Sequence, residues 1–423
     1  MGIVNDLVKN TPLPRMVKVR QLFDDYHITN ITEAVKNALF REDGIIDTIK
    51  PGMNIAITAG SRGIDNIHLI IKTVVDILKE LGADPFVIPA MGSHGGATAE
   101  GQLEVLRSLG INEDYLKCSI KSSMKVKRIG TTEDGRPVQI DAFAAEADGI
   151  IIINRVKPHT SFTGRYESGL MKMMAIGLAK QAGAEVCHQE GYGRIAVNIE
   201  KYGRAILKYA KILFGVAIVE NAFDKTCDIE AIPKDQIPDR EPDILIKAKA
   251  LMPKILFDKI DVLVIDKIGK NISGLGMDPH ITGSFATQYA KGPQRPDKVV
   301  VLDLTDETHG NGNGVGVADI TTRRLFEKFD FEKTYPNAVT STLTQAVRIP
   351  MIMDNQRLAI QAGIKTAAGF DKQNIRLVRL KDTLHLSEIM ISESMLPDAK
   401  ENPNIVILGP PEEMVFDENG DLF

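Results

Sequence analysis

Short apolar runs that end in glycine-rich turns and lead into amphipathic helices recur along the first half of the chain, and few folds accommodate that order. Residues 54–58 (NIAIT) run into Ala59-Gly60-Ser61-Arg62-Gly63, and from 65 to 81 the apolar residues Ile67, Ile70, Ile71, Val74, Val75 and Leu78 return at helical spacing, with Gly82 as a stop. Residues 85–89 (PFVIP) end in Met91-Gly92-Ser93-His94-Gly95-Gly96, after which Thr98 is placed to cap a helix reaching Leu109 and Gly110. Residues 149–154 (GIIIIN) are apolar on both faces, as a strand is when helices cover both sides of a parallel sheet. The expected fold class is therefore α/β, with mainly parallel sheets flanked by helices.

At 423 residues the chain exceeds one ordinary core, so two domains are expected. A helical pattern over 242–256 precedes a new strand, DVLVID, near Asp261; residues 298–304, 374–380 and 404–408 read as further strands. The expected division is 1–258, a cofactor-binding and catalytic domain, and 259–423, a second α/β domain closing over the substrate in an interdomain cleft. The final strand is a candidate to return to the first domain. A net charge of −5, no Trp and 5% aromatic residues supply neither the basic surface nor the stacking platforms of a nucleic-acid or anionic-membrane binder. Three cysteines without a CxxC pair make no disulfide framework or zinc site. With no signal-like start and no long apolar stretch, the expected compartment is the cytoplasm.

The polar residues that carry chemistry fall just after strand ends, where open parallel sheets bind ligands. His94 follows the second strand. After the third come Arg155, Lys157-Pro158-His159, Lys172 and His188. Pro158 keeps Lys157 out of helical geometry, so His159 leaves an extended strand end. On residue types alone, this set reads first as two surface histidines with a solvated lysine. Zinc is poorly served, since no HExxH is present and Cys187 and His188, as neighbours on a helix, point apart. Arg62 reads either as a turn arginine or as a two-pronged clamp for a carboxylate. Asp303, Asp306, Glu307 and His309 form a metal-friendly cluster, and the glycine-rich run 310–316 reads as a flexible loop rather than a phosphate cradle, because it lacks G-x-x-x-x-G-K-[ST].

Together these segments resemble the nickel-dependent lactate racemase family. Gly92-Ser93-His94-Gly95-Gly96 is similar to that family's Gly-Thr-His segment, and Lys157-Pro158-His159 through Ser168-Gly169-Leu170-Met171-Lys172 to His188 is similar to its His…Ser-Gly-Gly-x-Lys…His segment. The likeness extends to the turn Gly276-Met277-Asp278-Pro279. The resemblance implies a nickel-pincer nucleotide, a pyridinium mononucleotide holding nickel through a ring carbon and two sulfurs. It would be attached through Lys172 and ligated by His188, with His94 and His159 as general bases on opposite faces of a 2-hydroxy acid and Arg62 gripping substrate. Enzymes of cofactor synthesis are the implied partners, and a homo-oligomer is compatible with the sequence. Departures are Ala59 and Gly63, where the family has Asp and Pro, and an insertion that includes Arg165, Tyr166 and Glu167.

The expected reaction is racemisation or epimerisation at C2 by reversible hydride transfer, with a sugar acid such as an aldonate as first substrate. Gly283 and Ala286 stand where the family's substrate-holding Gln and Lys would be, while His280, Thr282 and Ser284 offer hydrogen bonds for extra hydroxyls. The alternatives are a lactate or other small 2-hydroxyacid racemase, an NAD-dependent dehydrogenase, and a non-catalytic nickel- or nucleotide-binding protein. The dehydrogenase lacks its G-x-G-x-x-G after the first strand.

Overall fold

The computed structural model describes residues 2–369 and 371–422 and divides the chain into two compact units. One unit is Asp24–Met252; the other joins the N-terminal segment through Phe23 to everything from Pro253 onward. This corrects the expected division of 1–258 and 259–423. The N-terminal strand β1 (Met16–Gln21) pairs antiparallel with strands near the C-terminus, so the first 23 residues belong with the last 171 rather than with their sequence neighbours.

In the unit Asp24–Met252, β2 (Asn54–Ala59), β3 (Asp84–Pro89), β6 (Gly149–Arg155), β7 (Ile212–Glu220) and β8 (Thr226–Pro233) form a sheet in the order β3-β2-β6-β7-β8. Only the β7–β8 pair is antiparallel. A separate hairpin, β4 (Val126–Thr131) and β5 (Pro137–Asp141), lies outside that sheet. The strand ends were legible within a residue or two, and Thr98 caps its helix as expected, accepting from the Gly101 amide at 3.0 Å.

Alternation along the strands separates two cores. Ile55, Ile57, Ile151 and Ile153 pack against the helices Ile31–Arg41 and Ile67–Glu80 on one face. Ala56, Phe86, Ile150 and Ile152 pack on the other against Met171–Leu178 and the helix Tyr192–Tyr209. Each fully buried Ile contributes roughly 1.5–3 kcal/mol. The helix after β2 therefore covers one face and the segment after β6 covers the other. The adjacent C-terminal ends of β2 and β6 are the sheet's switch point, where ligands of such sheets sit.

In the other unit, β9 (Val262–Ile268), β10 (Lys298–Leu304), β11 (Ile320–Thr322), β12 (Met351–Met353), β13 (Leu377–Leu380), β14 (Glu388–Ser392) and β15 (Ile405–Ile407) join β1 in the order β12-β11-β10-β9-β13-β14-β1-β15. The run from β12 to β13 is parallel and the rest antiparallel. The final strand stays with β1 in this unit and does not return to the first, contrary to expectation. No helix among the described residues is long and apolar enough to cross a membrane.

Candidate active site

Arg62 stands in the turn after β2, His94 in the turn after β3, and His159, Lys172 and His188 in the segment after β6. Close approaches of backbone tie these turns together. The Gly92 amide donates to the Gly177 carbonyl at 3.2 Å, so the His94 turn rests on the segment that follows Lys172. Gly177 allows this, since a Cβ there would press on the Ala90 carbonyl oxygen and the Met173 sulfur. Asn154, at the end of β6, donates to the Gly169 carbonyl at 2.9 Å and holds the approach to Lys172.

Lys172 ends a short turn of helix, Leu170–Lys172, and a π-helix, Met173–Leu178, follows at once. Glu241, buried on the helix Ile237–Leu251, sets this turn by accepting from the Met171 amide at 2.8 Å and from Leu170. A side chain at Gly169 would press on the Glu241 carboxyl and displace it. Burial pushes the Glu241 carboxyl up to about 8 against the pull of those two amides, and its Oε1 has no hydrogen-bond partner among the described residues. The Lys172 ammonium is pulled down to about 8, first by burial and then by the Arg62 guanidinium; of its charged neighbours only the Cys187 group acts the other way. Arg62 itself is lowered by burial.

The three imidazoles differ in which nitrogen carries the proton. His94 Nδ1 lies 2.8 Å from the Met91 carbonyl oxygen, and His188 Nδ1 lies 2.6 Å from that of Ala184. A carbonyl only accepts, so in both rings Nδ1 donates and Nε2 keeps a lone pair. His159 Nδ1 instead accepts from the Ser161 amide at 3.1 Å, which leaves the proton of the neutral ring on Nε2. Burial lowers the His188 pKa, and the nearby Lys172 adds to that, so the neutral ring is favoured.

The inserted residues prove to be the support of His159. Glu167 is fully buried; it accepts from the His159 amide at 2.7 Å and from Lys249 Nζ at 2.6 Å. Tyr166 anchors the same loop by donating to the Pro238 carbonyl at 2.7 Å. The His159 ring stacks on Phe162 with centroids 4.3 Å apart. Ser161 is hydrogen-bonded to Tyr192, whose ring meets that of His188 edge-on at 6.4 Å. Contacts thus lead from His159 to His188, which feels the charge of Lys172 as Lys172 feels that of Arg62, while the His94 turn lies against the same helix through Gly92 and Ala184. Glu241, Glu167 and Tyr192 escaped the sequence reading. Their partners lie 70, 8 and 31 residues away, and each sits in a stretch that reads as an ordinary solvated face.

Several expectations for the other unit require correction. Thr282 and Ser284 are buried, and each is engaged locally: Thr282 Oγ1 accepts from the Ser284 amide at 3.2 Å. Gly283 closes the turn Pro279–Thr282 with φ +67°, packed against Arg295, and Ala286 lies in the core. Positions 283 and 286 therefore say nothing about the width of a pocket. His280 is partly exposed and meets Phe285 edge-on at 5.3 Å. In the acidic cluster Asp303 pairs with Lys328 at 2.9 Å, and no group of three His, Cys, Asp or Glu side chains placed to hold a metal ion is found among the described residues. The run 310–316 is neither a cradle nor a loose loop, for Gly312 donates to Thr334 at 3.0 Å, Gly314 donates to Ala346 at 2.8 Å, and Val315 is in the core.

Fold and site define an α/β unit with basic and imidazole groups on the segments that follow its parallel strands. Residues 15–194 match the family model described as the lactate racemase N-terminal domain. That stretch of the chain is similar to the lactate racemase N-terminal domain, as its motifs suggested. The structure of the lactate racemase apoprotein from Thermoanaerobacterium thermosaccharolyticum superposes with a TM-score of 0.51 at 12% identity, over 92% of this chain and 96% of that one, and shares the fold. A crystal structure of a protein from Thermotoga maritima aligns with 64% of this chain and 70% of its own, at 16% identity and a TM-score of 0.46. No curated protein matches the chain.

Proposed function

We propose that the protein is a racemase or epimerase that inverts C2 of a 2-hydroxy acid with a nickel-pincer nucleotide bound at the switch point of the unit Asp24–Met252. The observation that supports this reading is a buried Lys172, held at about 8 beside Arg62 and His188, in the segments after β2 and β6, with the oriented rings of His94 and His159 following β3 and β6.

The residues present fit such a cofactor. An ammonium held at about 8 is neutral often enough near pH 7 for its amine to be acylated, which attachment through Lys172 requires. His188 presents the Nε2 lone pair that a metal needs while Nδ1–H is fixed on a carbonyl, the usual outer support of a ligating histidine. One imidazole cannot hold nickel alone, so the remaining ligands would come from the nucleotide's sulfurs and ring carbon. When bound, the cofactor supplies a reversible acceptor for the C2 hydride.

The chain's own residues do the rest. Arg62 is suited to hold the substrate carboxylate by two parallel hydrogen bonds. His94, with its Nε2 lone pair, removes the hydroxyl proton as the hydride leaves. His159 starts as a hydrogen-bond donor through Nε2, and it gains a transferable proton only when the Ser161 amide releases Nδ1. Inversion across a planar keto acid requires His159 to enter as the imidazolium, taking its extra proton on Nδ1 from solvent, so that it can protonate the carbonyl oxygen while His94 carries the proton removed from the hydroxyl.

Within the 2-hydroxy acids we propose a sugar acid such as an aldonate, with lactate or another small hydroxy acid as the second reading. Thr282 and Ser284 no longer support the first, and His280 is the remaining candidate contact for an extra hydroxyl. Cofactor-synthesis enzymes are the proposed partners, and a reducing compartment such as the cytoplasm accords with free Cys118, Cys187 and Cys227. The test is chiral analysis of turnover on lactate, malate, phenyllactate and several aldonates, ranked by kcat/KM. An aldonate in first place supports the proposal; lactate in first place selects the second reading, and reduction of NAD instead of inversion rejects both.

A further inference from the structure

Three local costs meet at Lys180, and the sheet needs none of them. The π-helix Met173–Leu178 precedes it, a geometry uncommon outside functional sites. Lys180 itself has φ +55°, a left-handed conformation that side chains larger than glycine rarely adopt. Its side chain is fully buried with Asp141, Nζ to Oδ2 3.1 Å, and such a pair loses more hydration than an apolar pair of the same size.

The remaining contacts of Lys180 explain what this arrangement holds. Its ammonium donates to the Pro89 carbonyl at 2.5 Å, at the end of β3, and to Gln102 Oε1 at 3.2 Å. With its oxygen so engaged, the buried Gln102 amide turns its nitrogen to the His94 turn, donating to the Gly92 carbonyl at 3.0 Å and the His94 carbonyl at 3.2 Å. Lys180 is also the first residue of the helix Lys180–His188, so its backbone sets the course from Lys172 to His188. Asp141 is fixed in turn by the Phe143 and Ala144 amides.

We infer that Lys180, with Asp141 and Gln102, is a positioning element that holds the His94 turn and the His188 helix in register with Lys172. The placement rests on the contacts; its catalytic meaning rests on the function proposed above. Neither Lys180 nor Gln102 is placed in contact with substrate or cofactor.

The test uses the full chain. Backbone hydrogen exchange is followed in the cofactor-free protein for wild type, for Gln102→Glu, and for the double variant Lys180→Met with Asp141→Asn. Gln102→Glu keeps the contact with Lys180 but replaces a donor by an acceptor facing two carbonyls. Exchange over residues 91–97 should rise about tenfold in that variant, and over both 91–97 and 180–188 in the double variant, with the rest of the unit unchanged. After co-expression with cofactor-synthesis enzymes, kcat should fall about tenfold while KM and bound nickel per chain stay near wild type. Unchanged exchange in these segments, or a rise spread evenly through the unit, overturns the inference. If the double variant fails to fold, Gln102→Glu decides alone. If exchange responds locally but wild type inverts no 2-hydroxy acid, the positioning role stands and the proposed function falls.

Discussion

Both units present the C-terminal ends of parallel strands, yet they treat charge there in opposite ways. In the unit built on β9 to β15, the charges are matched: Arg379 pairs with Asp266 at 2.8 Å, Lys328 with Asp303 at 2.9 Å, and His385 Nδ1 with Asp382 at 2.8 Å. In the unit Asp24–Met252, Arg155 at the end of β6 is paired with Glu220, but Arg62 acts on Lys172 and Lys172 on His188, and no described carboxylate acts on any of those three. The first arrangement spends its charges on the fold. The second leaves Arg62 and Lys172 without a carboxylate partner, and perturbed groups of that kind are candidates for a functional site.

The largest effects should come from breaking the unmatched edge. His94→Ala and His159→Ala should each lower kcat by about 10²–10⁴ without unfolding the chain, the usual worth of a general acid or base, read by chiral chromatography and circular dichroism. Retention of a tenth of wild-type kcat in either variant would remove that residue from the chemistry.

Next in size is the support beneath Lys172. Glu241→Ala leaves two buried amides without an acceptor and opens a void, at a cost of about 2–4 kcal/mol in urea unfolding, whereas Glu241→Gln keeps an acceptor and should cost about half as much. The pH profile gives a second reading. Glu241 has a folded pKa of about 8, raised from 4.5, so the folded state binds the extra proton between those values. Stability should therefore decline as pH rises from about 5 to 8, and Glu241→Gln should flatten that decline. Lys172, lowered from 10.5 to about 8, works in the opposite window, where stability returns as pH rises above 8.

The smallest effect is a reversal of sign between the two units. Lys172→Met should abolish activity yet stabilise the fold by about 1 kcal/mol, because a disfavoured charge is removed. Lys328→Met, in the matched unit, should destabilise by about 1–2 kcal/mol, because Asp303 is left buried without its cation. Equal signs in thermal or urea unfolding would dissolve the contrast.

What was legible in the chain follows the same division. Apolar period and glycine stops located β2, β3, β6, β9 and β10, since these features are local. They also placed His94, His159, Lys172 and His188 after strand ends. The N-terminal strand was assigned to the wrong unit because its partners, β14 and β15, lie more than 350 residues away and leave no mark on its own pattern. Thr282 and Ser284 were read as candidate ligand contacts from the resemblance of their turn to the family's substrate-holding segment, which carries no information on their burial. Lys180, Asp141 and Glu241 were missed for the complementary reason: a charged residue in a helix or at a strand end reads as solvated, and burial with a distant partner has no local signature.

The central claim is that the unmatched edge exists to hold a nickel-bearing nucleotide through Lys172 and His188. Intact mass and bound nickel, measured after co-expression with cofactor-synthesis enzymes, test it most directly. Wild type should carry an adduct that maps to the peptide containing Lys172, with one nickel per chain; Lys172→Ala should lack the adduct, and His188→Ala should keep it while losing most of the metal. A preparation that racemises its substrate at full rate with neither nickel nor a modified Lys172 would contradict the account.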